Sequence, residues 1–225
     1  PSGGRDQTFP TLLLSAWVPG NGATMLPDDI GIEVLPGSTL VFQVHYNVEL
    51  GVGQTDQSAF EFQLSDTVSK RGVYAPWLDM GWVLGGMQIP AGEASVAYSV
   101  KDDPRWFFDM FISDFELDQG FNIHSAMFHM HKLGRSGLAR LVRSDGSSET
   151  ILDIPRWDFD WQREYQLEVP IGFSPGDSIE LECVWDNSED NQVLVDGTQR
   201  APLDVAWGEG TSDEMCVVNL LITER

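Results

Sequence analysis

Short strand-like segments, each bounded by turn residues, recur along the whole chain and constrain its fold more than any other feature. The segments are rich in β-branched and aromatic residues, and Pro-Gly, Gly-Asn-Gly or Asp-Gly sequences separate them. Apolar residues do not recur at helical spacing over any convincing length. The pattern predicts an all-β protein built as an antiparallel, jelly-roll-like β-sandwich.

The predicted strands are short apolar runs or runs in which apolar and polar residues alternate. An Asp145-Gly146 turn between two of them is a strong hairpin signal. The polar stretch Ser65–Gly72 is predicted to link two domains, 1–68 and 69–225. The strands are predicted at Thr11–Val18, Ser38–Val48, Ser58–Ser65, Ala94–Val100, Trp106–Leu117, Asn122–Leu133, Leu138–Ser144, Glu149–Ile154, Arg163–Ile171, Ser178–Trp185 and Met215–Thr223.

The charge of the chain bears on its partners. Its 225 residues carry 35 acidic against 13 basic side chains, a formal charge of −22. Such a charge disfavours nucleic acids and anionic membranes as partners. No apolar run reaches the ~18–20 residues that a membrane-spanning helix needs. The chain begins at Pro1 without a signal peptide, which is typical of a processed protein or of a piece of a longer one.

Two histidines stand one residue apart in the predicted strand Asn122–Leu133. Side chains at positions i and i+2 of a strand share one face, so His129 and His131 project together and Met130 points to the reverse side. His124 has the opposite parity and is not expected to join them. Two imidazoles at this spacing can bind one copper, zinc, iron or nickel ion. The alternative is a pair of histidines that line a half-solvated sheet face.

Met215 offers a softer third ligand at the entrance to the last predicted strand. A thioether favours Cu(I) over zinc, although a methionine at a strand start is more often a core residue. The adjacent Cys216 and the distant Cys183 are the two cysteines of the chain. They either form one disulfide in an oxidising compartment or remain reduced core thiols.

Three motifs resemble the ascorbate-dependent type II copper monooxygenases, the family of dopamine β-hydroxylase and the peptide-amidating hydroxylase. They are the segments Phe42–Asn47, His129–Gly134 and Ser212–Leu220, and Ile89–Glu93 and Phe173–Trp185 support them. Their order and approximate spacing agree with the family over nearly the whole chain. The resemblance implies two jelly-roll-like domains that each hold one copper, of which 1–68 would be the end of the first and 69–225 the second.

The resemblance also implies roles for individual residues. His129, His131 and Met215 match the ligands of the catalytic copper, and His45 matches one of three histidines that bind the electron-donating copper. Cys183 and Cys216 match a disulfide of the second domain, which implies a secreted, periplasmic or otherwise oxidising location. The implied activity is the hydroxylation of an unactivated C–H bond with O2 and a reductant such as ascorbate.

Two departures from the family pattern qualify these expectations. The upstream His-His pair of the first copper site is missing, so a second copper at His45 needs ligands from an upstream segment or a partner chain. Met127, Val217 and Asn219 replace an arginine, an asparagine and a tyrosine that bind a peptide carboxylate in the amidating hydroxylase. The expected substrate is therefore a small apolar or amine-like molecule. Met127, Phe128 and Trp207 are candidates for either the pocket or the core.

Three functions compete at this point. The first is a copper monooxygenase, or the catalytic part of one. The second is a copper-binding β-sandwich without catalytic activity, which the missing His-His pair favours. The third is a metal-free secreted β-sandwich used for adhesion or as a scaffold, which the acidic composition also fits.

Overall fold

The structure, a computed structural model, describes residues 12–18, 22–44, 53, 55–112, 115–192, 194–195 and 198–225. It is almost entirely β, as predicted. The helical elements are α1 (Arg105–Phe108), one turn of π-helix at Trp82–Gly86 and one turn of 3-10 helix at Glu189–Asn191. None of the helices in these ranges has the length and apolar character to span a membrane.

The strands vary in length from two to nine residues. They are β1 (Ile30–Gly31), β2 (Lys70–Trp77), β3 (Gln88–Ile89), β4 (Val96–Asp102), β5 (Phe121–His129), β6 (Gly134–Val142), β7 (Ser148–Ile154), β8 (Tyr165–Phe173), β9 (Ser178–Trp185), β10 (Leu194–Val195), β11 (Thr198–Gln199), β12 (Val205–Ala206) and β13 (Val217–Glu224).

Two sheets form the sandwich. One has five strands in the order β1-β2-β13-β5-β8, and the other has four in the order β4-β9-β6-β7. Every pairing is antiparallel except β1 with β2. The inner faces bury a continuous apolar core, which supplies the main stabilisation of such a fold. The largest fully buried side chains include Trp77, Trp185, Phe107, Phe108, Phe121, Phe128 and Phe173.

The strands predicted from Ala94 onward are largely confirmed. One prediction in this part is wrong: Trp106–Leu117, where the described residues form α1 and a following turn instead of a strand. Pro104 begins this helical turn, and the amide of Asp109 donates to the carbonyls of Arg105 and Phe107. Two of the aromatic residues that suggested a strand, Phe107 and Phe108, are buried in the core and pack against Trp77.

The strands predicted before residue 66 are not formed where the structure describes them. Residues 12–18, 38–44 and 58–65 have no strand pairing, and Phe60, Phe62 and Leu64 are all exposed. An extended segment becomes a strand only when a neighbour accepts and donates its backbone hydrogen bonds. The described chain offers these segments no such neighbour. Within the predicted link Ser65–Gly72, β2 begins at Lys70, and the division into two domains stays a prediction.

Candidate metal centre

The two closely spaced histidines lie at one end of the five-stranded sheet. His129 is the last residue of β5 and pairs with Val217 of β13, and His131 follows just beyond the strand. Their ring centroids are 5.0 Å apart with an angle of 79° between the ring planes. Met130, between them, is fully buried in the core. The two imidazoles thus meet on one side of the chain, as the strand spacing predicts.

Hydrogen bonds fix the protonation pattern of His131. Its Nδ1 lies 2.9 Å from the backbone carbonyl oxygen of Asp213. A carbonyl oxygen only accepts, so Nδ1 carries the proton and donates it. In the neutral ring the electron pair that can bind a metal is then on Nε2.

The same argument holds for His129. Its Nδ1 lies 2.8 Å from Oε1 of Gln162. The Gln162 amide is oriented by its own Nε2, which donates to the carbonyl of Phe159 at 2.9 Å. Oε1 must therefore accept from His129, and the electron pair of this ring is again on Nε2.

This pair of rings suits a metal that prefers imidazole nitrogen, such as copper. Metal-binding histidines characteristically donate their second ring nitrogen to a carbonyl or a carboxylate, as both rings do here. In the part of the chain that the structure describes, no three His, Cys, Asp or Glu side chains are grouped as metal ligands. A third donor from this part would therefore be of another type, and the thioether of Met215 is such a donor.

Met215 reaches this region through the backbone. β13 begins at Val217, which pairs with His129, and Met215 lies two residues before it in the chain. Met215 is half-buried. The neighbouring Cys216 forms a disulfide with Cys183 of β9, with an S–S distance of 2.08 Å and a Cα–Cα distance of 6.0 Å. The disulfide prediction is confirmed, and the bond ties the Met215 segment to the opposite sheet.

Glu214 joins the elements around the two rings. It is fully buried, and its carboxylate accepts the backbone N–H of His131 at 2.9 Å and that of Leu133 at 2.6 Å. It also accepts the indole N–H of Trp185 at 2.9 Å. Burial raises the pKa of Glu214 to about 7, although these donors act in the opposite direction. One side chain thereby holds the backbone N–H groups of both His131 and Leu133.

A glycine lets the Trp157 ring pack closely against the chain just after His131. A Cβ at Gly134 would come within 2.6 Å of the Trp157 ring, so only glycine fits without displacing that ring. The Trp157 indole N–H donates to the carbonyl of His131 at 3.0 Å. The backbone at His131 is consequently held from two sides, by Glu214 and by Trp157.

The other residues selected from the sequence fall in different places. His45 lies outside the described residues. His124 hydrogen-bonds Thr223 at 2.9 Å, towards the opposite end of the strand. Phe128 is a core residue and Trp207 packs against the core. Met127 lines a small pocket together with Leu13, Ala16, Tyr74, Glu164 and Asn219.

Sequence reasoning missed two residues that hold the histidines. Gln162 lies in an irregular segment before β8, and no local pattern links it to His129. Glu214 offered a weak signal, because an acidic residue directly before an apolar strand and next to a candidate ligand is unusual unless it has buried partners. Both contacts join residues that are far apart in the sequence.

Comparison with known proteins gives consistent results. Residues 110–222 match the family described as copper type II ascorbate-dependent monooxygenase, C-terminal domain. The chain is 22% identical to a tyramine beta-hydroxylase of Caenorhabditis briggsae over 91% of this chain and 33% of that protein. It is 22% identical to DBH-like monooxygenase protein 2 of Mus musculus over 92% of this chain and 32% of that protein.

A third relative is MOXD1 homolog 1 of Drosophila melanogaster, which is 24% identical over 95% of this chain and 28% of that protein. The chain spans about a third of the length of the curated relatives it matches. The family match covers half of the chain and includes both closely spaced histidines, Met215 and the disulfide. The chain belongs to the copper type II ascorbate-dependent monooxygenase family.

Proposed function

We propose that this chain carries the catalytic copper site of a monooxygenase that hydroxylates a C–H bond of a small molecule. His129, His131 and Met215 are the proposed ligands. The observation that carries the proposal is the pair of converging imidazoles whose Nδ1 protons are both committed to oxygen acceptors. When bound, copper supplies one-electron redox chemistry and the activation of O2, with ascorbate as the reductant used by the family.

The chain's own residues supply the geometry of this site. The Asp213 carbonyl and Gln162 orient the two rings, and Glu214 fixes the backbone of His131. Fixed ligands bind a metal without having to be ordered first, which favours affinity and positions the substrate relative to the metal. The disulfide holds the Met215 segment in place and supports a secreted or periplasmic location.

The domain division remains part of the proposal. Residues 69–225 would form the C-terminal domain and residues 1–68 the end of an N-terminal domain. The exposed apolar side chains of Val41 and Leu64, at 80% and 83%, support this division. Extended segments with solvent-exposed apolar side chains are expected at places where further strands of the same domain would cover them. A second copper at His45 would need ligands from such additional chain.

A copper-binding domain without hydroxylase activity of its own is the second candidate. Within the described ranges only one pair of histidines converges, and the activity of this family also uses an electron-donating copper. This chain by itself would then bind copper without activity. Reaction with O2 would require a longer chain that supplies the second copper site.

The ligand set can be tested on the chain loaded with Cu(I). We expect one copper ion per chain by metal analysis. X-ray absorption at the copper edge should show two imidazoles and one sulfur scatterer. Met215→Ala should remove the sulfur contribution, whereas Met110→Ala, at an exposed position, should retain it. Retention of the sulfur signal in Met215→Ala would refute the assignment of that ligand.

Catalysis needs a separate measurement. Oxygen uptake with ascorbate and a candidate substrate should be compared between this chain and a longer chain that includes the upstream His-His motif typical of the family. Substrate-dependent uptake by this chain alone supports the first candidate, and uptake by the longer chain only supports the second. If both chains bind copper but neither consumes O2, the result favours a copper-binding domain without hydroxylase activity.

Gln162→Leu tests the orientation of His129. The substitution removes the acceptor of the His129 Nδ1 proton and should weaken copper binding about 10- to 100-fold, the usual cost of losing such an outer partner. Affinity would be measured by competition with a copper chelator. Gln166→Leu, at an exposed position on β8, is the control and should leave the affinity unchanged. Equal affinities in the two variants would contradict this role for Gln162.

A further inference from the structure

The connection between β7 and β8 borders a cavity that neither metal-site histidine lines. β7 is an edge strand of the four-stranded sheet and β8 an edge strand of the five-stranded sheet, so residues 155–164 pass from one sheet to the other at the side of the sandwich. The cavity has a volume of about 50 Å³, whereas ~10–15 Å³ is enough for one water molecule. It can therefore admit a group of several heavy atoms.

Aromatic side chains form much of the cavity wall. Phe128 and Trp157 are buried, whereas Trp161 and Tyr165 are 53% and 38% exposed. The wall thus combines a closed inner part with an accessible indole and an accessible phenol ring. Such a wall suits a ligand with a flat apolar body, because flat groups pack on aromatic faces.

Two arginines, Arg156 and Arg163, line the same cavity. In the part of the chain that the structure describes, neither guanidinium forms an ion pair or a hydrogen bond with another residue. Arg105 and Arg143, in contrast, both hold carboxylates, as expected in a chain with 35 acidic against 13 basic side chains. Two such cations at one cavity favour an anionic ligand.

The remaining contacts leave the cavity with a positive excess. The guanidinium carbon of Arg163 lies 4.0 Å from the centre of the Trp161 ring, and a guanidinium packed on a ring keeps its N–H groups available at its edge. Asp158 is the acidic residue of the wall, and its Oδ1 accepts the backbone N–H of Asp160 at 3.0 Å. One carboxylate against two guanidinium groups leaves an excess charge of one, which a monoanion would neutralise.

We propose that Arg156 and Arg163 bind the carboxylate of a small planar acid whose apolar body lies on Trp161 and Tyr165. A carboxylate matches the fork of N–H groups that a guanidinium presents, and this pairing is among the stronger hydrogen-bonded contacts in proteins. Benzoate represents this ligand class. The proposal adds a second ligand site to the chain and does not depend on the monooxygenase activity.

The test must separate this site from the proposed metal site. The connection that borders the cavity also contains Trp157 and Gln162, which hydrogen-bond His131 and His129. A carboxylate can bind to copper itself or to protonated imidazoles. The copper-free chain is therefore used at about pH 8, above the ordinary His pKa of ~6.5.

Two-dimensional NMR of the tryptophan indole N–H groups follows binding at the cavity, and Trp161→Phe identifies the Trp161 signal by its loss. We expect benzoate to shift this signal until the site is saturated. Benzamide has nearly the same shape without the charge, so it should bind about fivefold or more weakly. No saturable shift with benzoate, or equal affinities for the two molecules, would overturn the proposal.

Arginine variants test the two anchors. Arg156→Gln and Arg163→Gln should each bind benzoate about fivefold or more weakly, since each removes one cation. Arg163→Lys keeps the charge but not the planar fork, and it should also bind benzoate more weakly. Unchanged affinity in either glutamine variant would overturn the proposal, and unchanged affinity in Arg163→Lys would refute recognition by the fork.

Arg200→Gln is the matched control, because it removes the same charge from an exposed position that does not line the cavity. It should bind benzoate as the unaltered chain does. An equal loss in this variant and in the cavity variants would mean that overall charge governs the binding, and would overturn the proposal.

A change in the body of the ligand gives an independent readout. Cyclohexanecarboxylate carries the same charge as benzoate but has no flat ring, and it should bind about two- to tenfold more weakly, as the loss of an aromatic contact implies. Equal binding of the two acids would refute the role of Trp161 and Tyr165. Failure of the unaltered chain to bind copper would contradict the proposed function and leave the benzoate results interpretable.

Discussion

A chain with His131→Ala is expected to bind copper at least ~100-fold more weakly than the unaltered chain, since losing even an outer partner of a metal ligand costs about 10–100-fold. The substitution removes one of the two imidazoles that meet at the end of β5, with ring centroids 5.0 Å apart. The remaining proposed donors, His129 and the Met215 thioether, would not replace an imidazole nitrogen in holding the ion. Competition with a chelator under reducing conditions measures the effect.

The control for this experiment is a histidine of the same strand. His124 is buried, hydrogen-bonds Thr223 and lies near the opposite end of β5. His124→Gln should therefore leave copper affinity within about twofold, since an imidazole that is not a ligand contributes nothing to the affinity. Far-UV circular dichroism would verify that both variants are folded. An equal loss of affinity in the two variants would indicate that the fold, and not the ligand, had been lost.

Removal of the disulfide is expected to cause the largest loss of stability. Cys183 and Cys216 are 33 residues apart in the sequence. A cross-link that closes a loop of this size stabilises the folded state by about 3–4 kcal/mol, mainly because it restricts the unfolded chain. The double variant Cys183→Ala, Cys216→Ala should show that decrease in the free energy of unfolding, measured by urea titration of intrinsic fluorescence.

Reduction of the unaltered chain provides the comparison. If the cross-link itself is responsible, the reduced chain and the double variant should have nearly the same urea midpoint. A double variant as stable as the oxidised chain would contradict the prediction. A variant much less stable than the reduced chain would show that packing of the two buried sulfurs contributes more than the covalent bond does.

The C-terminal part of the fold was largely predictable because its signals are local. Alternating apolar residues and Pro-Gly or Asp-Gly turns mark β6 to β9, and burial in the structure follows that alternation closely along β9. The turn at Gly146 adopts a φ of +85°, as such a hairpin requires. In this part local preference and tertiary packing favour the same structure.

The same local signals led to wrong predictions before residue 66. Phe60, Phe62 and Leu64 alternate as a strand would, yet no described neighbour pairs with them. A β-propensity describes how well side chains suit a sheet and does not supply a partner strand. In contrast the sequence analysis does not predict β2, although this strand pairs with both β1 and β13 in the five-stranded sheet.

The candidate metal site was also predictable only in part. The spacing of His129 and His131 predicted that both rings would point the same way, because the period of a strand is two residues. The role of Gln162 could not be predicted, since it lies 33 residues from His129 and contacts it only after folding. The hydrogen-bonded residues Glu164 and Tyr74 are further apart still, at a sequence separation of 90.

The sequence by itself determined the all-β class, the paired projection of two imidazoles and the family to which the chain is similar. These depend on periods of two residues and on short motifs, which act over a few positions of the chain. Tertiary structure alone decided which nitrogen of each ring carries its proton, how Glu214 fixes the turn after His131, and where Glu164 meets Ser125 and Tyr74. Such contacts form between distant segments only when the sheets assemble, and nothing in local spacing specifies them.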